Sequence, residues 1–198
     1  MSMHTWIAGG LLAVAVAAPA GAHSVTFVGT LSNAGEAPQP IPSLGTGSVT
    51  VEFDDDDFKM EIHASFSGLS GNTSAAHIHC CTAVADLGSA GVATQTPTFA
   101  NFPLGVRSGS FEQSFDMTQP SSWNPAFITS HGGTIGSAFA ALSTGLNTGT
   151  AYFNIHTVFA GGGEIRGFLH AAPIPEPGSW ALALAGLGLL GTRLRRRA

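Results

Sequence analysis

Positive charge is what this sequence has least of. Lys and Arg together number seven in 198 residues, and Arg193, Arg195, Arg196 and Arg197 crowd into the last six positions. Residues 23–176 hold all twelve acids against Lys59, Arg107 and Arg166, a net of −9. The formal net charge of −5 therefore averages an acidic body with a basic tail. A nucleic-acid binder needs a basic stripe to neutralise phosphates, and no such patch exists outside the tail, so nucleic acid is not an expected partner. The same imbalance makes anionic polysaccharide a poor direct partner without bridging cations. Charged residues make up only 10% and hydrophobic ones 44%, which argues against full disorder. No serine lies in G-x-S-x-G, no paired carboxylates stand out, and no fixed-period repeat is present. With 26 Gly and 11 Pro, the composition fits a turn-rich protein better than a helical bundle.

The two ends read as targeting segments. Ile7 to Ala18 is an apolar run of secretory length, and Ala20-Gly21-Ala22 matches the A-x-A cleavage pattern. Twelve apolar residues are too few to span a hydrocarbon core of about 30 Å. Residues 1–22 are thus expected to be a signal peptide read by the Sec export machinery, with the mature chain beginning near His23. The far end has 16 uncharged residues, Pro177 to Thr192, with Trp180 at the interface position and arginines behind. This segment is expected to cross a membrane as a hydrophobic helix, with its arginines in the cytoplasm. Gly186-Leu-Gly188-Leu-Leu-Gly191 spells G-x-G-x-x-G, but it follows no strand and lies inside the apolar segment, so no nucleotide site is read from it. Pro175-Glu176-Pro177, the apolar span and the Arg cluster together resemble the PEP-CTERM sorting signal of Gram-negative bacteria. That resemblance, over 173–198, implies an exosortase as partner, removal of the tail, and delivery to the cell surface or exopolysaccharide matrix.

Between the ends, hydrophobicity alternates with period two. Val49, Val51 and Phe53 alternate with Thr50 and Glu52, and Phe58, Met60, Ile62, Ala64 and Phe66 with Lys59, Glu61, His63 and Ser65. Both runs predict half-buried strands, joined by Asp54 to Asp57 as a solvated hairpin turn. Further strands are predicted at 25–31, 75–79, 110–116, 151–157 and 164–169, with a helix over 137–144 stopped by Gly145. Residues 82–109 carry little pattern and are expected to form a long, partly ordered loop. The expected fold is all-β: an antiparallel β-sandwich or Greek-key barrel with one short helix, over residues 23–172.

His77-Ile-His79 is the sharpest chemical feature. On a strand the two imidazoles point to one side while Ile78 enters the core, a spacing that can place two ligands on one metal ion. In Tyr152-Phe-Asn-Ile-His156, Phe153 and Ile155 take one face and Tyr152, Asn154 and His156 the other. Convergence of His77, His79 and His156 requires neighbouring strands in register, which sequence does not fix; structural histidines bonded to backbone are the alternative. Cys80 and Cys81 are adjacent, with Cα atoms ~3.8 Å apart, short of the usual disulfide range. A strained vicinal disulfide, free thiols, intermolecular bridges and metal ligation all stay open. Glu164 and Arg166 share a strand face and are expected to pair, or Arg166 guides an anion to a metal at the histidines.

Ser74-Ala-Ala-His77-Ile-His79, Asn154-Ile-His156-Thr157 and Gly163-Glu164-Ile-Arg166-Gly167 resemble the CHRD domain, named from chordin, over roughly residues 25–170. The resemblance implies an extracellular β-rich module and supplies no mechanism. A fainter similarity links His77, His79, His156 and Arg166 to Cu/Zn superoxide dismutase, with no counterpart for that family's bridging and zinc ligands. The favoured expectation is an exported module with a binding or structural role, associated with cell-surface or matrix components, and not an enzyme. The alternative is a copper- or zinc-binding protein using His77, His79 and His156, with redox activity of the superoxide dismutase kind.

Overall fold

Alternation in the sequence becomes register in the sheet. The computed structural model describes residues 24–36 and 41–173. The signal peptide, Pro175-Glu176-Pro177, the hydrophobic helix and the Arg cluster lie outside the described residues. Strands β1 (Ser24–Ser32), β2 (Thr46–Asp54) and β3 (Lys59–Ser67) pair antiparallel, and β5 (Gly109–Asp116) adds to β3. Val51 sits opposite Phe27 on one side and Ile62 on the other, so apolar side chains stack in rows on one face. The hairpin turn is held by the Asp54 carboxylate, which accepts from the Asp56 and Asp57 amides at 3.0 and 2.8 Å. That geometry uses an aspartate for turn chemistry and leaves the run solvated, as the sequence suggested, but Phe58, expected to open the second strand, belongs to the turn with a φ of 50°.

The second limb is built from β4 (Thr73–His79), β6 (Tyr152–Thr157) and β7 (Ile165–Phe168). One sheet contains everything, in the order β4-β6-β7-β1-β2-β3-β5, with short β8 (His170–Ala171) also on β1. The two limbs join through the Ser32–Arg166 pair and the Phe27–Ala171 and Val28–His170 pairs of β8. The sheet therefore curls there into a half-barrel, an all-β fold whose inner faces confront each other. Phe99 fills the space between them, with ring centroids 6.0 Å from Phe153 on β6 and 5.8 and 5.1 Å from Phe111 and Phe115 on β5. Ala76, Ile78, Phe153, Ile155 and Ile165 line the second limb's inner face, all fully buried. Each large apolar side chain buried this way contributes about 1.5–3 kcal/mol.

Helix α1 (Pro125–Ser130) precedes α2 (Ile135–Asn147), which begins in a Thr134–Ser137 capping box. Phe139 of α2 stacks on Phe53 at 4.5 Å, so the helix closes the Asp54–Lys59 end of the half-barrel. The stop expected at Gly145 does not occur; α2 runs two residues past it. A Cβ at Gly145 would lie 2.2 Å from the Cys80 Sγ, so this glycine permits close packing against the Cys80–Cys81 disulfide. The segment 82–109 also differs from expectation. It inserts Ala93, Phe99 and Phe102 into the core and bonds across to β4. Its anchors are widely spaced single residues, which carry no period to read.

Candidate functional site

Burial of Ile78 and Ala76 on the inner face turns His77 and His79 outward on β4, as Phe153 and Ile155 turn Tyr152, Asn154 and His156 outward on β6. Antiparallel pairing sets Ala75 against His156, His77 against Asn154 and His79 against Tyr152. The outer face is nevertheless not exposed. Loop segments from 89–98 and 158–163 cover it, leaving His77, His79 and His156 only 6, 7 and 9% accessible.

Those loops contribute backbone carbonyls. His77 Nε2 donates to Pro97 O at 2.7 Å, His79 Nδ1 to Ala90 O at 2.9 Å and His156 Nδ1 to Gly161 O at 3.0 Å. A carbonyl only accepts, so each bond fixes a tautomer and leaves the other ring nitrogen as a lone pair. The three lone-pair atoms are His77 Nδ1, His79 Nε2 and His156 Nε2. The triad has one ligand nitrogen per ring, all within 4.8 Å of one another. His79 Nε2 and His156 Nε2 stand 3.3 Å apart, and His77 Nδ1 is buried without a hydrogen-bond partner among the described residues.

Electrostatics keeps these rings neutral. Burial pushes His77 and His79 down to about 4, with the charge of His156 adding to the effect, and burial also lowers His156. Two neutral nitrogens facing each other at 3.3 Å repel unless something electron-poor lies between them. Metal–imidazole bonds of ~2.0–2.1 Å at a tetrahedral angle place ligand nitrogens about 3.3–3.4 Å apart, so this pair already has a ligand spacing. The carbonyl behind each ring is the usual outer support of a metal-bound histidine. Three borderline nitrogen donors and no carboxylate suit copper or zinc over calcium or magnesium.

The neighbouring row is polar and closed. Arg166 pairs across from Asn154 in β7, with its guanidinium 4.6 Å over the Tyr152 ring, which stacks on His79 at 4.9 Å. The expected Glu164–Arg166 pair does not form. Arg166 Nε donates to Gly35 O and lies 3.8 Å from Glu36 Oε2, and Arg166 NH1 reaches Ser89 Oγ at 3.4 Å. Glu164 turns to the other side, where it accepts from Ser43 Oγ, Thr157 Oγ1 and the Ser70 and Gly71 amides. The reason is position: Glu164 precedes β7 and its loop donors lie nearer than Arg166. At 3% accessibility and with these partners, Arg166 is committed internally and does not present a free cation to an entering anion. Its neighbour Glu36 was missed in the sequence, where one acid in a loop carries no signal. Burial raises Glu36 to about 7, outweighing the attraction of Arg166 and the Asn154 hydrogen bond.

A second group, Glu61, His63 and Glu112, lies on the outer face of β3 and β5. Its two carboxylates contact different nitrogens of the one ring, at 3.1 and 3.7 Å, and Lys59 takes Glu61. These are surface contacts of solvated side chains.

Comparison with known proteins adds two matches. The CHRD domain matches residues 27–169 and the PEP-CTERM protein-sorting motif matches residues 173–197. No curated protein and no solved structure matches the chain. The sorting motif marks an exported protein whose membrane-anchored precursor is processed by an exosortase.

Proposed function

Because the chain belongs to the CHRD domain family, with a PEP-CTERM motif behind the domain, we propose that it is an exported module that binds one copper or zinc ion through His77, His79 and His156. Its role is binding, exercised at the cell surface or in the extracellular matrix, and no catalytic step is assigned to it. The observation that carries the reading is the 3.3 Å approach of His79 Nε2 and His156 Nε2, with both opposite nitrogens donating to carbonyls. A structural role for the histidines accounts for one bond per ring. It leaves two lone pairs in contact and His77 Nδ1 without a partner, which costs about 1–3 kcal/mol for each such group. A metal ion uses all three atoms at once.

The test is metal analysis of the purified full-length chain in detergent, before and after loading with copper or zinc. One ion per chain is expected, and a His77→Ala/His156→Ala double variant should bind none. Failure of the folded wild-type chain to retain either ion would overturn the reading.

A further inference from the structure

Among the described residues, three buried side-chain atoms have no hydrogen-bond partner: His77 Nδ1, Asn154 Oδ1 and Glu36 Oε1. All three are electron-pair donors, and all belong to one neighbourhood. His77 and Asn154 are register partners, Arg166 is the next residue in that row, and Glu36 lies 3.8 Å from Arg166. The histidine triad accounts for His77 Nδ1. It does not account for Asn154, which is 1% accessible.

Asn154 sits in the middle of the triad. His156 is two residues along β6 on one side, and Tyr152, the partner of His79, is two residues along on the other. The rings of His79 and His156 lean towards each other across the His77–Asn154 pair, with centroids 5.5 Å apart. The orientation of the Asn154 carboxamide is also determined. Its Nδ2 has the Gly162 carbonyl at 3.5 Å as an acceptor, so the oxygen is the atom left over. The group lies flat on Gly163, where a Cβ would come within 2.4 Å of Nδ2; Gly163 has a φ of 131°, a conformation that also favours glycine.

Resting on the metal-binding reading, we propose that the ion keeps a fourth, exchangeable position, and that Asn154 Oδ1 accepts a hydrogen bond from a small protic molecule held there, water in the resting protein. An amide oxygen suits hard cations and is a poor direct ligand for copper or zinc, so Asn154 is placed to hold what the metal holds. Three protein ligands plus one exchangeable position is the arrangement of sites that exchange ligands, in contrast to closed four-ligand structural sites. Asn154 is thus a positioning residue for the bound molecule.

Copper(II)-loaded full-length chain, examined by proton ENDOR in H2O and in D2O, separates the outcomes. A strongly coupled exchangeable proton is expected in the wild type. In Asn154→Leu the copper stoichiometry should stay at one and the imidazole couplings should persist, while the exchangeable coupling shifts or disappears. Asn154→Asp, which keeps an acceptor oxygen at the same place, should restore it. Wild-type protein that holds copper with no strongly coupled exchangeable proton would overturn the open position while the three-histidine site stands. Loss of copper in folded Asn154→Leu would make Asn154 a direct ligand and overturn the proposal in that way. Wild-type protein that holds no copper or zinc would overturn both readings. The wild-type spectra decide the question even if Asn154→Leu does not fold.

Discussion

Thr157 Oγ1 donates to Glu164 Oε2 at 2.7 Å, closing the loop whose Gly161 carbonyl holds His156. Glu164 is fully buried and receives three further hydrogen bonds, from Ser43, Ser70 and Gly71. Burial alone would raise its carboxyl, but these four donors outweigh it and hold the group below the usual carboxylate range. Glu164→Ala would leave four donors buried without an acceptor, so we expect a loss of about 3–5 kcal/mol in unfolding free energy. Glu164→Gln, which keeps one oxygen, should lose less but still loosen the loop and weaken metal retention. Denaturant unfolding and metal analysis check both; unchanged stability in Glu164→Ala would contradict the assignment.

The metal-free protein should be acid-labile. Burial holds His77 and His79 down to about 4 in the folded chain against an ordinary 6.5, and His156 is lowered as well. A depressed histidine favours folding fully above pH 6.5, and that contribution disappears as pH falls through the folded value. Between pH 6.5 and 4 the unfolded chain binds protons that the folded chain refuses. Stability should therefore fall across this window, by up to ~3 kcal/mol for each of His77 and His79. Thermal unfolding of metal-free wild type and of His77→Phe, followed from pH 7 to 4, reads this directly. The variant should show a shallower slope, and parallel curves would contradict the prediction.

Much of this arrangement was readable beforehand because strands have a period of two. Phe153 and Ile155 fix which side His156 takes, just as Ile78 fixes His77 and His79, and the faces follow from the apolar partners. What could not be read was register, since a shift of one residue moves every side chain to the other face. The groups that hold the three rings from behind were equally hidden. Pro97, Ala90 and Gly161 contribute only their carbonyls, which every residue possesses, so no side-chain pattern announces them. Glu164 and Arg166 show the opposite failure. Their i, i+2 spacing suggested a pair, but Glu164 lies before β7 among loop donors while Arg166 reaches back to Glu36 and Gly35.

Glu36 gives a pH dependence of the opposite sign. Burial raises its carboxyl to about 7 from 4.5, despite Arg166 at 3.8 Å. A raised carboxyl contributes its stability below the unfolded value of 4.5 and loses it as pH rises through about 7. The Glu36 contribution alone should weaken across that range by about 3 kcal/mol, against the opposite trend of the histidines, and the comparison with Glu36→Gln isolates it. Glu36→Gln mimics the protonated side chain at all pH values. It should match wild type at pH 4.5 and exceed it at pH 8, as read by urea midpoints. A difference that does not vary with pH would rule out Glu36 as the titrating group.

The sorting motif makes its own prediction. The acidic body carries −9 over residues 23–176, while the four tail arginines lie beyond the apolar span. By the positive-inside rule the arginines are expected to stay in the cytoplasm, with the CHRD domain on the opposite side of the membrane. On that expectation Pro175-Glu176-Pro177 is the part of the motif offered to the exosortase outside the cytoplasm. Glu176 is the one charged group of the motif, and Glu176→Gln removes that charge without altering the span or the arginines. The variant should still be exported but remain in the inner membrane at precursor mass, whereas wild type appears as a shorter, released chain. Fractionation with intact-mass measurement distinguishes the two. Release of Glu176→Gln at the wild-type mass would show that processing does not read this residue.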